Sequence, residues 1–295
     1  MTALLEARGV VKRFGGLTAV GGVDISVAAG EMVGLVGPNG SGKTTLFDCL
    51  SRVQPVDAGL IRFGGVDITG LRAHDVARLG MSRTFQIIRV YRDLSVAENM
   101  HLSIQWGALG VPELFARTDA ATRCRADELL DLLLLGRLRH ERAGNLSGGQ
   151  RRLLEIGMSL MSEPRLVLLD EATSGVNPTL VADIADRIRA VNSEQQVAFL
   201  LVEHNVQFVA DLCERVVVLD QGAVLAEGTP GEIMRDPSVI EAYFGDPGEG
   251  ARDQNRVPSD PGAPDERVGE GSLHRSLAGS GDAADPDAGR EEPVS

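Results

Sequence analysis

Lysine is nearly absent from this sequence. Its 295 residues include 29 lysines and arginines, and only Lys12 and Lys43 are lysines. Aspartates and glutamates number 42, which gives a formal net charge of −13 at pH 7. Because nucleic-acid-binding domains usually present a strongly basic face, this balance argues against nucleic acid as the main partner. The scarcity of lysine also makes Lys43 conspicuous.

Long apolar runs and paired cysteines are missing as well. No stretch approaches the roughly 18 consecutive apolar residues that span a bilayer, and clusters such as Leu132–Leu135 and Leu166–Leu169 have the length of core segments. The N-terminus lacks a basic segment followed by an apolar one, so we expect no signal peptide and a cytoplasmic location. Cys49, Cys124 and Cys213 form no metal-spaced pair, and we expect them to be reduced, buried and structural.

The composition changes at about Asp246. Residues 246–295 hold no aromatic residue, six of the 13 prolines, eight of the 35 glycines, 12 acidic residues and five basic residues. Such a segment cannot bury enough apolar surface to offset the chain entropy lost on folding. We therefore predict one folded domain over residues 1–245 and a disordered, acidic, Gly/Pro-rich tail over residues 246–295.

Apolar patterns within residues 1–245 predict an α/β fold. Leu166–Leu169, Val197–Val202 and Val216–Leu219 are continuous apolar runs, which are typical of strands covered on both faces. Between the first two lies PTLVADIADRIRAV, whose apolar residues fall on one helical face, with Asn177 as N-cap and Pro178 in the first turn. Strand, helix and strand in this order predict a βαβ unit with a parallel sheet.

Two other segments predict different structures. Residues 216–226 predict two short strands around the turn Asp220-Gln221-Gly222. The stretch from about Ser95 to Asn145 lacks strand patterns, and Ser95 and Glu98 form a capping-box pattern at its start. We predict a helical subdomain there, inserted into the α/β core.

A glycine-rich loop, GPNGSGKT, carries the strongest single signal. It spans Gly37–Thr44, matches G-x-x-x-x-G-K-[ST], follows the apolar run Met32–Val36 and can continue as a helix. The glycines let backbone N–H groups cradle phosphates at a helix N-terminus. Lys43 would neutralise the β- and γ-phosphates of a nucleotide, and the Thr44 hydroxyl would hold Mg²⁺. The alternative, a glycine-rich turn with a lysine by chance, is disfavoured by the flanking strand and helix. The predicted phosphate-binding residues are Gly37, Pro38, Asn39, Gly40, Ser41, Gly42, Lys43, Thr44 and Thr45.

Two motifs in the second half indicate what is done with the nucleotide. LSGGQ opens a helix about 20 residues before LVLLDE; its Ser147 and Gln150 also fit an ordinary capping box, and both functions are compatible. In LVLLDE a buried strand delivers Asp170 and Glu171 at its carboxyl end, where α/β sheets bind ligands. Asp170 is suited to Mg²⁺ through water, and Glu171 to act as general base for an attacking water. Outside this context, two such acids would indicate a helix cap or surface charge.

Three single residues extend the pattern. His204 ends the next apolar strand, VAFLLVEH, and would reach the same γ-phosphate edge, although a lone histidine is usually structural. Gln86, in RTFQ, lies between the core and the helical stretch and could sense Mg²⁺. Phe14 lies 23 residues before Gly37. Its ring could stack on adenine, a contact of about 1–3 kcal/mol by analogy with base–aromatic stacking, or belong to the core.

In this order, the motifs resemble those of the ABC ATPase family across residues 1–245. The resemblance implies a P-loop NTPase core with an N-terminal antiparallel β subdomain and an inserted helical subdomain. It implies an ATP hydrolase, coupled to transmembrane transport, in which two domains close head to tail around two ATP molecules. One subunit would supply Gly37–Thr45, Gln86, Asp170, Glu171 and His204 to each site. The second subunit would supply the signature residues Ser147, Gly148, Gly149 and Gln150.

Finer features are similar to the ATPase subunits of branched-chain amino acid importers, of the type with the longer helical insert. The segments are KRFGGLTAVGGVDISV, SRTFQIIR, LSVAENM, LVEHNVQFV and EGTPGEIMRDPSVIEAYFG. This similarity implies separate integral membrane permease subunits, a second ABC ATPase subunit, identical or different, and indirectly a substrate-binding protein, at the cytoplasmic face of the cell membrane. ATSGVN after Glu171 departs from the subgroup, which usually has a proline there, and Asn177 stands where many ABC ATPases carry aspartate.

Other functions remain as alternatives. ATPases of urea and short-amide importers look similar, and an ABC exporter would carry the same motifs. A soluble ABC ATPase of DNA repair or translation would need a coiled-coil insertion or two cassettes, and a basic face, none of which is visible in the sequence. A non-hydrolysing regulatory cassette is disfavoured by the presence of Lys43, Glu171 and His204.

Overall fold

The structure, a computed structural model, describes residues 3–84, 90–108, 120–174 and 176–244. The predicted tail and its boundary lie outside these residues and stay predictions. Within the described ranges, no helix combines the length and the apolar character that crossing a membrane requires.

Ten strands in the described residues form two sheets. They are β1 Ala3–Phe14, β2 Leu17–Ala28, β3 Met32–Val36, β4 Ala58–Phe63, β5 Val66–Asp67, β6 Met81–Arg83, β7 Leu166–Asp170, β8 Ala198–Val202, β9 Arg215–Asp220 and β10 Ala223–Gly228. The first sheet is antiparallel, in the order β2-β1-β4-β5. The second has the order β10-β9-β3-β8-β7-β6, and all its strands are parallel except β10, which pairs antiparallel with β9.

Nine α-helices in the described residues surround these sheets. They are α1 Lys43–Leu50, α2 Ala73–Arg78, α3 Val96–Ala108, α4 Ala120–Leu132, α5 Gly148–Leu160, α6 Pro178–Gln195, α7 Val206–Leu212, α8 Pro230–Ile233 and α9 Pro237–Phe244. The helices α3, α4 and α5 pack against one another. The predicted capping box before α3 is confirmed, because the Glu98 N–H donates to Ser95 Oγ and the Ser95 N–H to Glu98 Oε2. The predicted βαβ unit is also present, as β7, α6 and β8.

The six-stranded sheet is buried on both faces. Along β7, Leu166 and Leu168 pack into a core shared with the antiparallel sheet and α1, whereas Val167 and Leu169 pack into a core shared with α5 and α6. All four side chains have no exposed surface. This two-sided burial explains why the strand reads as a continuous apolar run, because neither face meets water.

The order of the parallel strands decides which chain segments meet at one edge of the sheet. Strand β3 pairs with β8, and β8 pairs with β7, all parallel. The residues that follow these strands therefore leave the sheet at the same edge. The loop after β3 begins at Gly37, β7 is followed by Glu171, and β8 is followed two residues later by His204.

The predicted hairpin between β9 and β10 is confirmed. Gln221 and Gly222 have φ values of 46° and 81°, which is the left-handed conformation that two-residue hairpin turns require. The Gly222 N–H donates to the carbonyl oxygen of Ser41 (3.0 Å), and the Gly222 carbonyl accepts from the N–H of Gly21 (2.8 Å). The turn therefore ties the glycine-rich loop to strand β2.

The expectation that all three cysteines are buried is wrong for one of them. Cys49 and Cys213 are buried, but Cys124 is exposed on α4. This helix buries Ala126 and Leu129, and Cys124 lies on its solvent face, where its thiol lies 3.3 Å from Glu128 Oε1. Apolar character alone did not show which face of α4 packs inward.

We predict that Gly34→Ala lowers the free energy of unfolding by about 1–3 kcal/mol, as overpacking does in a close-packed core. A methyl group at Gly34 in β3 would lie 2.4 Å from Val209 Cγ1 and 3.4 Å from Cys213 Sγ. Val209 lies within α7, and Cys213 directly follows this helix. Gly70→Ala is the control, since a methyl group there meets no atom within 4 Å. Urea denaturation measures both variants; equal stabilities would contradict the close packing of α7 on β3.

Candidate functional site

A cavity of about 740 Å³ opens where β3, β7 and β8 end. This volume lies in the range of small-molecule and cofactor sites. The sequence positions that line it come from the N-terminal sheet, the glycine-rich loop, the ends of β7 and β8, and the hairpin turn. They are Phe14, Leu17, Thr18, Ala19, Asn39, Gly40, Gly42, Lys43, Thr44, Thr45, Glu171, His204, Gln221 and Gly222. Half of the residues predicted to act on a nucleotide, among them Lys43, Glu171 and His204, therefore meet in one cavity.

Lys43 is the buried cation of this cavity. It is 5% exposed, and its Nζ donates to the carbonyl oxygens of Gly37 and Pro38, both at 2.8 Å. Burial lowers the pKa of Lys43, and the negative charge of Glu171 acts in the opposite direction. An ammonium group held at the first turn of α1 adds to the positive end of the helix dipole. The loop is thus built to receive an anion.

The loop needs glycine at two positions for steric reasons. Gly42, immediately before α1, has φ 99°, and a Cβ there would lie 2.3 Å from the carbonyl oxygen of Ala19. Gly37 has φ 148°, and its Cβ would lie 2.1 Å from the carbonyl oxygen of Leu219. Both contacts are with backbone atoms, which cannot move aside as a flexible side chain can. These glycines let the loop pass between β2 and β9.

Glu171 and His204 form a contact pair at the cavity wall. His204 Nε2 lies 3.2 Å from Glu171 Oε1. Glu171 has a left-handed backbone (φ 48°), and its N–H donates to the carbonyl oxygen of Val202 at 2.8 Å. The pairing of β7 with β8 thus places the carboxylate beside the imidazole. A carboxylate next to a histidine can accept a proton and orient a water.

Asp170 ends β7 and is not among the described residues that line the cavity. It is 3% exposed, and its Oδ2 lies 3.3 Å from Arg83 Nη2. Burial raises the pKa of the Asp170 carboxyl, and the positive charge of Arg83 opposes this rise. Arg83 also donates to Asp48 Oδ1 at 2.6 Å. This guanidinium therefore joins α1, the helix that begins at Lys43, to the end of β7.

The donor groups fit a hard cation. The Thr44 side chain lines the cavity, and Asp170 ends the adjoining strand β7; a hydroxyl and a carboxylate are oxygen ligands of the kind Mg²⁺ prefers. Among the described residues, no group of three or more His, Cys, Asp or Glu could hold a metal ion. A cation here would therefore complete its shell with phosphate and water oxygens. Gln86, the other predicted metal-contacting residue, lies outside the described residues.

LSGGQ lies away from the described lining of this cavity. The Gln150 N–H donates to Ser147 Oγ (3.2 Å) and the Ser147 N–H to Gln150 Oε1 (2.9 Å), so the predicted capping box at the start of α5 is present. Ser147 is exposed and Gly149 is buried. A Cβ at Gly149 would lie 2.9 Å from Leu180 Cδ1 of α6, so this glycine permits close helix packing. The cavity and the LSGGQ motif of one chain are separate surfaces.

Sequence reasoning missed three charged residues next to the site. Arg83 pairs with Asp170, Arg152 donates to the carbonyl oxygens of Asp170 and Ala172, and the buried Glu203 accepts from Thr173. A signal was available for two of them. Arg152 follows LSGGQ by two positions, and Glu203 ends the apolar run of β8 directly before His204. Charged residues are almost never fully buried unless they are paired.

Comparison with known proteins identifies the family. The family model described as "ABC transporter" matches residues 20–174, more than half of the chain. The chain belongs to the ABC transporter ATP-binding cassettes. A second family model, described as "Branched-chain amino acid ATP-binding cassette transporter", matches residues 223–249 of this cassette. The predicted family and fold class are confirmed.

Two known proteins match this cassette over nearly their whole length. The cassette is 39% identical to the high-affinity branched-chain amino acid transport ATP-binding protein BraF of Pseudomonas aeruginosa, over 82% of this chain and 98% of BraF. It is 37% identical to the lipopolysaccharide export system ATP-binding protein LptB of Acidithiobacillus ferridurans, over 83% of this chain and 98% of LptB.

A solved structure shares the fold. The ADP conformation of MJ1267, an ATP-binding cassette of an ABC transporter, superimposes with a TM-score of 0.76 at 32% identity, covering 83% of this chain and all of that one. The present cassette is thus an ATP-binding subunit of an ABC transporter, and its family hydrolyses ATP to drive transport.

We predict that the melting temperature of Glu203→Gln exceeds that of the wild type by more at pH 8 than at pH 5. Burial raises the pKa of Glu203 above its usual 4.5, against the opposing effects of Thr173 and Arg152. The stability contributed by Glu203 is therefore fully present below about pH 4.5 and is lost as the pH rises through the raised folded-state pKa. The glutamine side chain of the variant does not titrate, so the difference between the two proteins isolates this group. A difference that shrinks with rising pH would contradict the shift.

Proposed function

We propose that this cassette powers the uptake of branched-chain or related amino acids by hydrolysing ATP between Lys43, Glu171 and His204. The observation that carries the proposal is the meeting of a buried lysine, a carboxylate and a histidine in one cavity. The substrate class rests on the identity to BraF and on the match of residues 223–249. Substrate selection itself belongs to other chains of the transporter.

ATP would bind along the length of the cavity. The phosphates lie against Gly37–Thr45, where the Lys43 ammonium and the N-terminus of α1 stabilise negative charge. Phe14, which is 48% exposed and lines the cavity, offers a ring face for adenine. Leu17, 67% exposed, extends this apolar surface. The lining of the cavity thus offers both an apolar surface for the base and a cationic loop for the anionic phosphates of a nucleotide.

Hydrolysis would depend on the pair at the cavity wall. Glu171 accepts the proton of the attacking water, and His204 orients the carboxylate or the water through Nε2. Thr44, and Asp170 through water, would hold Mg²⁺, which would neutralise phosphate charge when bound. Removing a general base typically costs about 10²- to 10⁴-fold in rate, so most of the turnover would rest on Glu171.

The separate LSGGQ surface supports a composite site. Its exposed, capped helix start is an anion site by geometry, and we propose that it meets the ATP of a second cassette. Closure around ATP would favour one conformation of the attached permease, and release of products the other. A chain with one phosphate loop and one LSGGQ therefore needs a second cassette, identical or different.

The permease contact would lie beside the segment that links the core to α3. The buried Asn99 holds this segment, because it accepts from the Tyr91 N–H (2.8 Å) and donates to the carbonyl oxygens of Tyr91 (3.0 Å) and Ser95 (2.9 Å). The Tyr91 side chain is 46% exposed. We propose that the surface beside residues 90–93 receives the permease at the cytoplasmic face of the membrane, and that a substrate-binding protein acts on the far side. Residues 86–89, which also belong to the predicted contact segment, lie outside the described residues.

Export is the second candidate function. The identity to LptB, a lipopolysaccharide export protein, is close to the identity to BraF. Both directions use the same ATP chemistry, so the site residues are shared by the two hypotheses. Measuring the direction of transport in cells distinguishes the import hypothesis from the export hypothesis.

We predict that Glu171→Gln lowers ATP turnover by at least about 10²-fold while ATP still binds. Glutamine keeps the shape of the side chain but cannot accept the proton of water. Glu163→Gln is the control, because Glu163 is exposed and also has a positive φ (50°). Turnover near the wild-type rate in Glu171→Gln would show that this residue is not the base.

Glu171→Gln and its control Glu163→Gln also test which substrate is transported. In cells that lack the native gene, the wild-type chain and Glu163→Gln should restore uptake of labelled leucine, and Glu171→Gln should not. Uptake that does not depend on the chain would contradict the importer, and a defect in lipopolysaccharide export would favour the exporter.

We also predict that the purified chain is monomeric and weakly active, and that it gains ATPase activity with a second cassette and permease. Tyr91→Ala should reduce this gain, whereas Leu134→Ala, which removes a large and more exposed side chain on the turn after α4, should not. Co-purification from native membranes, with mass spectrometry, identifies the partners. Recovery without any integral membrane protein would contradict the transport function.

A further inference from the structure

Two buried charged side chains hold the turn that carries Glu171. The first is Glu203, which is 2% exposed at the end of β8. Its Oε1 accepts from the Thr173 N–H and its Oε2 from Thr173 Oγ1, both at 2.9 Å. Thr173 lies two residues after Glu171. Glu203 therefore fixes the far side of the turn with both of its oxygens.

The second is Arg152 of α5, which is 1% exposed. Its guanidinium donates to the carbonyl oxygen of Asp170 and, at 3.3 Å, to that of Ala172. These two carbonyls flank Glu171 on either side. A guanidinium is planar and has five donors in fixed directions, so it can hold two backbone oxygens at once.

Glu171 needs such support because of its backbone conformation. A non-glycine residue in the left-handed region is strained, and it persists only where surrounding contacts enforce it. With φ 48°, the carboxylate reaches within 3.2 Å of His204 Nε2. If the turn relaxed, the carboxylate would lose this position.

We propose that Glu203 and Arg152 are positioning residues for ATP hydrolysis. They hold the turn of residues 170–173 so that the Glu171 carboxylate stays beside His204 and the attacking water. The inference rests on the proposed role of Glu171 as general base. Neither side chain belongs to the described lining of the cavity, so their loss should affect the chemical step and spare nucleotide binding.

The experiment uses the full-length chain in the complex recovered from membranes, with ATP as substrate. Glu203→Leu removes both hydrogen bonds to Thr173, and Thr173→Val removes the one from Oγ1 while the backbone N–H stays. Glu203→Gln and Thr173→Ser keep hydrogen-bonding groups in place. The first pair should lose about 10- to 100-fold in kcat, the scale of a 1 Å misplacement. The KM for ATP should change less than about threefold, because ground-state binding is untouched. The second pair should stay within about threefold of wild-type kcat.

Two further variants sharpen the test. The double variant Glu203→Leu/Thr173→Val should lose no more than Glu203→Leu alone, since the hydrogen bond that Thr173→Val removes is one of the two that Glu203→Leu removes. Arg152→Lys keeps the charge but cannot hold two carbonyls with a planar fork, and it should show the same loss in kcat. Additive losses in the double variant would contradict a shared contact.

A merely structural role predicts a different result. It would lower the melting temperature and the number of nucleotide-binding sites together, and leave kcat per binding site unchanged; that outcome overturns the proposal. If Glu203→Leu does not fold, Thr173→Val carries the test, because valine matches threonine in shape. Glu171→Gln is measured in parallel. Normal turnover in Glu171→Gln refutes the general base, whereas an inactive Glu171→Gln beside normal Glu203→Leu and Thr173→Val refutes only the positioning role.

Discussion

The parallel pairing of β3, β8 and β7 is the constraint on which the rest of the site depends. Parallel strands leave their carboxyl ends at one edge of the sheet, so three segments far apart in sequence meet there. The glycine-rich loop follows β3, Glu171 follows β7 and His204 follows β8. The register opposes Asp170 to Val202, and the N–H of Glu171 then bonds to the Val202 carbonyl. Backbone hydrogen bonds thus set the distance between carboxylate and imidazole.

Buried charge is concentrated around this edge. Lys43, Asp170, Arg152 and Glu203 are each less than a tenth exposed, and each has a partner of opposite charge or a set of backbone dipoles. Burying unpaired ions is costly, so such groups persist where their hydrogen bonds are satisfied. In this cassette two arginines use such contacts to join separate elements. Arg83 joins α1 to the end of β7, and Arg152 joins α5 to the turn after β7.

The place of Arg152 also bears on the proposed dimer. In that assembly the LSGGQ motif and the Glu171 of one chain serve different ATP molecules. Arg152 lies on the helix that begins at LSGGQ and contacts the carbonyls that flank Glu171. A single buried guanidinium is therefore a direct physical link between the surface offered to one nucleotide and the carboxylate offered to the other.

Motifs and apolar periodicity alone determined the family, the α/β class, the hairpin, both capping boxes and most of the residues that line the cavity. Each of these features depends on local spacing. Glycines stand where φ is positive, acids stand at a strand end, and apolar runs stand where both faces of a strand are buried. Tertiary structure alone decided which buried charges meet. Glu203 and Thr173 are 30 positions apart and Arg152 and Asp170 are 18 apart, and no local pattern encodes such pairings. It also decided that Cys124 faces solvent, since the inward face of α4 is set by the helices it packs against.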